Sequence, residues 1–366
     1  MNFAIVRYLI GWMLGIESIF LLLPALTAVI YGEPELPAYL IAAAISLAGA
    51  ALLCHRKPKN TRFYAREGYV TVALCWLILA VIGALPFVLS REIPFFIDAL
   101  FETVSGFTTT GATILGDVEA LSHASMLWRC LTHWVGGMGV LVFMLIVLPL
   151  AGGQTIFLMR AESPGPSVSK MSPHMRDTAT ILYAIYFGLT VLQMILLLIG
   201  GMPLFDAICV SLGTAGTGGF GNWNDSIAHY NSAYLQNVIT VFMILFGINF
   251  SAYFLILTRK FRQAFRIEEI RVYLGVIFVF AGLIAFNVRP MFGSLRESFH
   301  HALFQVASII TTTGFSTVDF DQWPTFSRAL LVLLMFIGAC AGSTGGGIKC
   351  SRILLLFKGV KKEMMS

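Results

Sequence analysis

Charge is scarce in this chain. Only 12% of its 366 residues are Asp, Glu, Lys or Arg, while 57% are hydrophobic. That balance excludes an ordinary soluble domain and points to a polytopic membrane protein. Cysteine is sparse too. Cys54, Cys75, Cys130, Cys209, Cys340 and Cys350 form no CxxC pair and lie mostly within apolar segments, so they read as small packing residues, neither disulfides nor metal ligands. The first apolar segment lacks a small-residue cleavage site and is too long for a signal peptide, so it is expected to remain as a membrane helix. The net charge of +5 is no nucleic-acid footprint, because the basic residues are divided among the connections between apolar spans.

Those spans number eight, near 3–30, 37–54, 68–90, 124–150, 178–201, 233–258, 271–288 and 325–357. Three half-length apolar segments, near 94–107, 203–213 and 297–309, are too short to cross a bilayer. The connection Tyr31-Gly32-Glu33-Pro34-Glu35 has no Lys or Arg, whereas the next runs His55-Arg56-Lys57-Pro58-Lys59-Asn60-Thr61-Arg62. Arg160, Lys170 and Arg176 follow span four, Arg259, Lys260, Arg262 and Arg266 follow span six, and Lys349, Arg352, Lys358, Lys361 and Lys362 lie at the end. The positive-inside rule makes these cytoplasmic, with the N-terminus inside and Asp117, Glu119, Asp225, Asp319 and Asp321 outside. The stretch 152–177, with Pro164-Gly165-Pro166, is expected to form an ordered elbow with little helix.

Each half-length segment leads into the same kind of polar loop. Thirteen positions before Gly111, Gly219 and Gly314 stand Asp98, Asp206 and His301, each followed by Ala, and six before them stand Ser105, Gly213 and Ser308. The loops themselves are Thr108-Thr109-Thr110-Gly111, Gly216-Thr217-Gly218-Gly219 and Thr311-Thr312-Thr313-Gly314. The chain is thus an internal repeat of membrane helix, half-helix, glycine-bearing loop and membrane helix. A half-helix entering from outside aims the negative end of its dipole inward, which favours a cation. Loop carbonyls there can replace an ion's hydration shell, and the central glycine permits a positive φ. Oxygen ligands without a carboxylate cage suit a weakly hydrated monovalent cation.

A second polar interruption falls within span eight, at Gly342-Ser343-Thr344-Gly345-Gly346-Gly347. Glycine is disfavoured in a helix interior by about 1 kcal/mol relative to alanine, so the run is expected to unwind and line a cavity. It is no phosphate-binding P-loop, because Ile348 separates Gly347 from Lys349 and Cys350 follows. Asp98 and Asp206 are expected to cap their half-helices. Glu102 lies within the first half-helix and needs a partner the sequence does not name. Asn249 is placed either at a pore vestibule or in a helix–helix hydrogen bond. His123, His133, His300 and His301 have no metal-ligand spacing and read as interfacial or capping residues.

The three loops, with the stretches His133-Trp134-Val135-Gly136-Gly137-Met138-Gly139, Arg160-Ala161-Glu162-Ser163-Pro164-Gly165-Pro166 and Ala341-Gly342-Ser343-Thr344-Gly345-Gly346-Gly347-Ile348-Lys349, resemble the TrkH/TrkG/KtrB-type potassium uptake subunits over nearly the whole chain. The extra N-terminal helix pair is more like TrkH. The resemblance implies an all-α membrane protein of the bacterial inner membrane whose helix–pore loop–helix repeats surround a central cation pore. It implies K+ as the transported ion, selected at Thr108 to Gly111, Gly216 to Gly219 and Thr311 to Gly314, with filter loops facing the periplasm. It assigns Gly342 to Gly347 as an intramembrane gate. It also implies a cytoplasmic TrkA-type nucleotide-binding regulator and a homodimer in the lipid bilayer, with no cofactor and no nucleic acid.

The expected organisation is a helix pair over 1–66 and three pore repeats: 67–176 with the elbow, 177–270, and 271–366. The family has four, and the fourth is expected to be absent here. A truncated non-conducting fragment or membrane scaffold is therefore the alternative. An enzyme is not expected. An intramembrane serine protease would need Ser343 to meet a histidine, and the topology puts His123, His300 and His301 on the other side.

Overall fold

The computed structural model describes residues 2–59, 65–137, 139 and 175–365. These form helices α1 (Phe3–Tyr31), α2 (Leu36–Cys54), α3 (Ala65–Ser90), α4 (Phe96–Phe107), α5 (His123–Gly137), α6 (Met175–Ile199), α7 (Leu204–Ala215), α8 (Ala233–Phe246), α9 (Phe250–Leu257), α10 (Phe261–Phe265), α11 (Glu268–Val288), α12 (Leu295–Ile310), α13 (Thr325–Phe336) and α14 (Cys350–Met365). The described residues divide at Tyr183 and Ala184 into two compact units.

Among the described residues, five helices are long and apolar enough to cross a membrane: α1, α2, and the segments Arg66–Ser90, Thr180–Ile199 and Glu268–Met291. In the first unit α1 and α2 form an antiparallel pair whose turn is closed by Gly32 at φ 67°. The pair is pinned by Ser46, which donates to Leu14 O at 2.8 Å, and by Ser18, which donates to Ala43 O at 3.0 Å. Glu33 accepts from the backbone N–H groups of His123 and Ala124 at 2.7 and 3.0 Å and from His123 Nδ1. A carboxylate from the first connection thereby satisfies free N–H groups of α5. The half-length segments form α4, α7 and α12, as the sequence led one to expect. The second half of span four and the elbow, apart from Met175 onward, lie outside the described residues.

Two spans differ from the sequence reading. Span six is not continuous: α8 and α9 meet at a bend of 93°. Its freed carbonyls are paired from elsewhere. Tyr273 donates to Ile244 O, Tyr253 to Leu245 O at 2.6 Å, Thr344 Oγ1 to Phe246 O and Cys340 N to Gly247 O at 3.0 Å. Asn249 is buried and caps α9 through Ser251 N at 2.8 Å, a bond within its own helix that neither sequence reading named. A helix bent so sharply persists only where such partners exist. Span eight unwinds earlier than the glycine run: α13 ends at Phe336 and helix resumes only at Cys350. Ile337 and Ile348 form a parallel bridge, with Gly338 N donating to Ile348 O at 2.8 Å. A Cβ at Gly338 would lie 2.1 Å from Gly346 O, so the loop folds tightly on itself only because that residue is glycine.

Candidate functional site

The three loops share one backbone. The central glycines Gly111, Gly219 and Gly314 have φ of 75°, 79° and 88°, as their residue type allows. Two positions earlier, Thr109, Thr217 and Thr312 also take positive φ, at 53°, 53° and 58°. A β-branched residue there is a true outlier, costing about 1–3 kcal/mol, and such strain gathers at functional sites. The sequence marked the glycines and missed this property of the threonines, because residue type argues against it. Backbone hydrogen bonds repeat in register. Thr110 N, Gly218 N and Thr313 N donate to Ser105 O, Gly213 O and Ser308 O at 2.9, 3.1 and 2.9 Å. These close the C-termini of α4, α7 and α12 and leave later carbonyls free to turn.

Side chains hold the first and third loops alike. Ser105 donates to Ala112 O at 2.5 Å and Ser308 to Phe315 O at 2.6 Å. Thr108 and Thr110 share a hydroxyl contact of 2.8 Å, as do Thr311 and Thr313. The second loop has glycine at all three corresponding positions, Gly213, Gly216 and Gly218. There Phe220 O comes within 2.6 Å of where a Gly213 Cβ would be, so close packing replaces the hydroxyl pin.

The segment after each loop is tied back to its own half-helix. Buried Asp206 accepts from Asn222 Nδ2 at 2.6 Å, Tyr230 OH at 2.6 Å and Trp223 Nε1 at 3.2 Å. His301 Nδ1 meets Thr317 Oγ1 at 2.9 Å. Glu102 accepts from Thr113 Oγ1 and Ile114 N and forms an ion pair with Arg129 at 2.7 Å, both side chains being 2% exposed or less. Arg129 is the partner the sequence could not name. Asp98 and Asp206 are not caps. The cap positions belong to Phe95 and Pro203, and the two acids sit in the first turn, where they favour the helix dipole. Burial and its bond to the carboxylate push the Tyr230 phenol upward from its ordinary range.

Within the second unit the two loops touch. A Cβ on Gly219 would lie 2.0 Å from Thr313 O, whereas one on Gly314 would meet nothing within 4 Å. The glycine run of span eight lies against both. Thr217 Oγ1 donates to Thr344 O at 3.0 Å and Gly346 N donates to Thr312 Oγ1 at 2.8 Å. The two strained threonines of this unit are therefore the residues the run engages. Phe250 N donates to Gly342 O at 2.9 Å, tying the run also to the bend of span six. Ser343 donates to Cys340 O at 2.6 Å, while His300 meets Gln236 and Asn237, so serine and histidine in this unit are engaged separately. Among the described residues no group of three His, Cys, Asp or Glu could hold a metal ion.

Comparison with known proteins places these features in a family. The TrkH family, described as cation transport proteins, matches residues 37–280 and 290–366. The Trk system potassium uptake protein TrkH of Salmonella typhimurium is 37% identical over 371 residues, covering 100% of this chain and 77% of that protein. The Trk system potassium uptake protein TrkG of Escherichia coli is 34% identical, covering 98% of this chain and 75% of that protein. The crystal structure of the potassium transporter TrkH from Vibrio parahaemolyticus superposes with a TM-score of 0.88 at 31% identity, over 100% of this chain and 76% of that one.

Proposed function

The chain belongs to the TrkH family of cation transport proteins, and from that premise we propose that it transports potassium ions across a membrane as a conducting subunit. The observation that carries the reading is the loop backbone itself. One strained conformation recurs at Thr109, Thr217 and Thr312 and at the glycines two residues on. Ordinary turns have no reason to hold a threonine there. A filter does, because alternating backbone sense turns successive carbonyls toward one path, where they replace ion hydration. We assign that role to residues 108–111, 216–219 and 311–314. Close contact of Gly219 with Thr313 suits loops packed side by side around an ion path. With one glycine per loop, fewer stacked ion sites and looser selectivity are expected than in a filter with a longer repeated run.

Residues 342–347 are assigned as the gate. They touch the filter threonines and interrupt a span at membrane depth, where irregular backbone is tolerated only beside protein or a water-filled cavity. The positive connections place this gate on the cytoplasmic side and the filter loops on the periplasmic side of a bacterial inner membrane. A cytoplasmic TrkA-type nucleotide-binding regulator acting on the gate, and a homodimer, complete the reading. Ion movement here involves no covalent chemistry.

The test is uptake of radiolabelled Rb+ into proteoliposomes, with the chain supplied alone and with a separately expressed further pore repeat. Uptake under either condition that K+ competes for supports the reading. No uptake under both, with the protein inserted, moves it to a non-conducting membrane scaffold.

A further inference from the structure

The glycine run is held at both of its ends by one oxygen atom. Glu269 Oε1 accepts from Ala341 N at 2.7 Å and from Ser351 N at 3.0 Å. These N–H groups belong to residues 72 and 82 positions away in sequence, one just before the run and one in the first turn of α14. Glu269 itself stands in the first turn of α11. An acid there has an ordinary explanation, the favourable interaction with the helix dipole. The dipole alone does not aim a carboxylate oxygen at two N–H groups of a distant loop.

We propose that Glu269 is the latch of the gate, a positioning residue that closes residues 342–347 against the filter by holding Ala341 and Ser351 together. The inference rests on the gate reading above. The neighbouring contacts fit it. Lys349 folds back to donate to Gly345 O, inside the bracketed segment. Lys358 pairs with Glu268 at 2.5 Å, which keeps α14 alongside α11. The other ties are neutral hydrogen bonds, to the filter threonines, to the bend of span six and across the neck of the loop between Gly338 and Ile348 and between Ala339 and Cys350. Charge-assisted bonds are about twice as strong as neutral ones, so the carboxylate is the strongest single restraint on the loop. It lies half-buried at the end of α11 away from the filter loops, where a change of contacts could release the run without touching the ion path.

Two natural reporters flank the run. Cys340 and Cys350 are both buried, with Cys350 Sγ contacting Gly338 O. The experiment compares wild type, Glu269→Ala and Glu269→Gln, using the full chain in proteoliposomes. It follows N-ethylmaleimide labelling of each cysteine by peptide mass spectrometry, alongside Rb+ flux. Glutamine retains a carbonyl oxygen at the same reach but not the charge and should hold the loop in part, whereas alanine cannot. Expected for Glu269→Ala is faster labelling of Cys340 and Cys350 by roughly ten- to a hundredfold, the factor carried by a lost charge-assisted hydrogen bond. Cys130 and Cys209, buried elsewhere, should stay protected, and Glu269→Gln should label Cys340 and Cys350 at a rate between wild type and Glu269→Ala. Unchanged labelling in Glu269→Ala would overturn the latch, as would equal exposure of all four cysteines or faster labelling in Glu269→Gln than in Glu269→Ala. Selective exposure without a rise in flux, in an assembly that conducts, would keep the latch and instead remove the gating role of 342–347.

Discussion

Gly219 lies so close to Thr313 that a Cβ on the glycine would sit 2.0 Å from the threonine's carbonyl oxygen. The second loop thus presses its left-handed glycine against the backbone of the third, and neither can move alone. Gly314 is equally left-handed.

Two glycine substitutions test the loops. Gly219→Ala must displace Thr313 and should abolish selective transport. Gly314→Ser places a side chain at a φ of 88°, so it should insert and conduct while discriminating less well between K+ and Na+. Permeability ratios in a conducting assembly test both, and an unchanged ratio for Gly314→Ser would count against the filter assignment.

The buried pair of Glu102 and Arg129 gives a stability prediction. Removing one partner from such a pair strands a charge and costs about 3–5 kcal/mol. Glu102→Gln and Arg129→Met should each lower the unfolding temperature in detergent, and the double variant should recover a good part of the loss. Additive losses would mean that the pair is not coupled.

Asp206 and Asn222 in the second repeat stand where His301 and Thr317 stand in the third, thirteen residues before and three after the central glycine. Asp206 receives three donors, of which Trp223 Nε1 also reaches Tyr230 OH at 2.9 Å, so Asp206→Leu should strand Asn222 and Tyr230 at a cost of about 1–3 kcal/mol for each donor left without a partner. Thr317→Val removes a single contact and should cost less. Thermal unfolding of the two variants gives the order, and a milder Asp206→Leu would refute the hub role.

The repeat was legible from glycine spacing because the same left-handed position carries glycine in all three loops. The half-helices were legible because their apolar length is half that of a span. Three features were hidden for a common reason: their cause lies far along the chain. Arg129 is 27 residues from Glu102, with no helical spacing to link them. The bend at 247–249 is stabilised by Cys340, Gly342 and Thr344, so Gly247-Ile248-Asn249 within an apolar run gave no warning. Unwinding starts at Ile337, an apolar residue that local propensity keeps helical, because it pairs with Ile348 across the loop. The strained threonines were hidden in another way. Their side chains oppose the conformation, which only the surrounding bonds impose.

The gate contacts lead to the last prediction. Thr312 Oγ1 donates to Thr311 O at 2.6 Å and receives Gly346 N at 2.8 Å, so its hydroxyl serves filter and gate at once. Thr312→Val keeps the shape and removes both bonds. Basal Rb+ flux should rise several-fold, because the run loses an anchor worth about 0.5–1.5 kcal/mol, and K+ over Na+ discrimination should fall together with it. Shortening 342–347 should raise flux further while leaving the Thr312 to Thr311 bond intact, so discrimination should change less. The two variants therefore separate gate from filter. If both alter flux and selectivity in the same proportion, the glycine run is part of the filter wall. If shortening the run leaves flux unchanged or lowers it, the run does not gate.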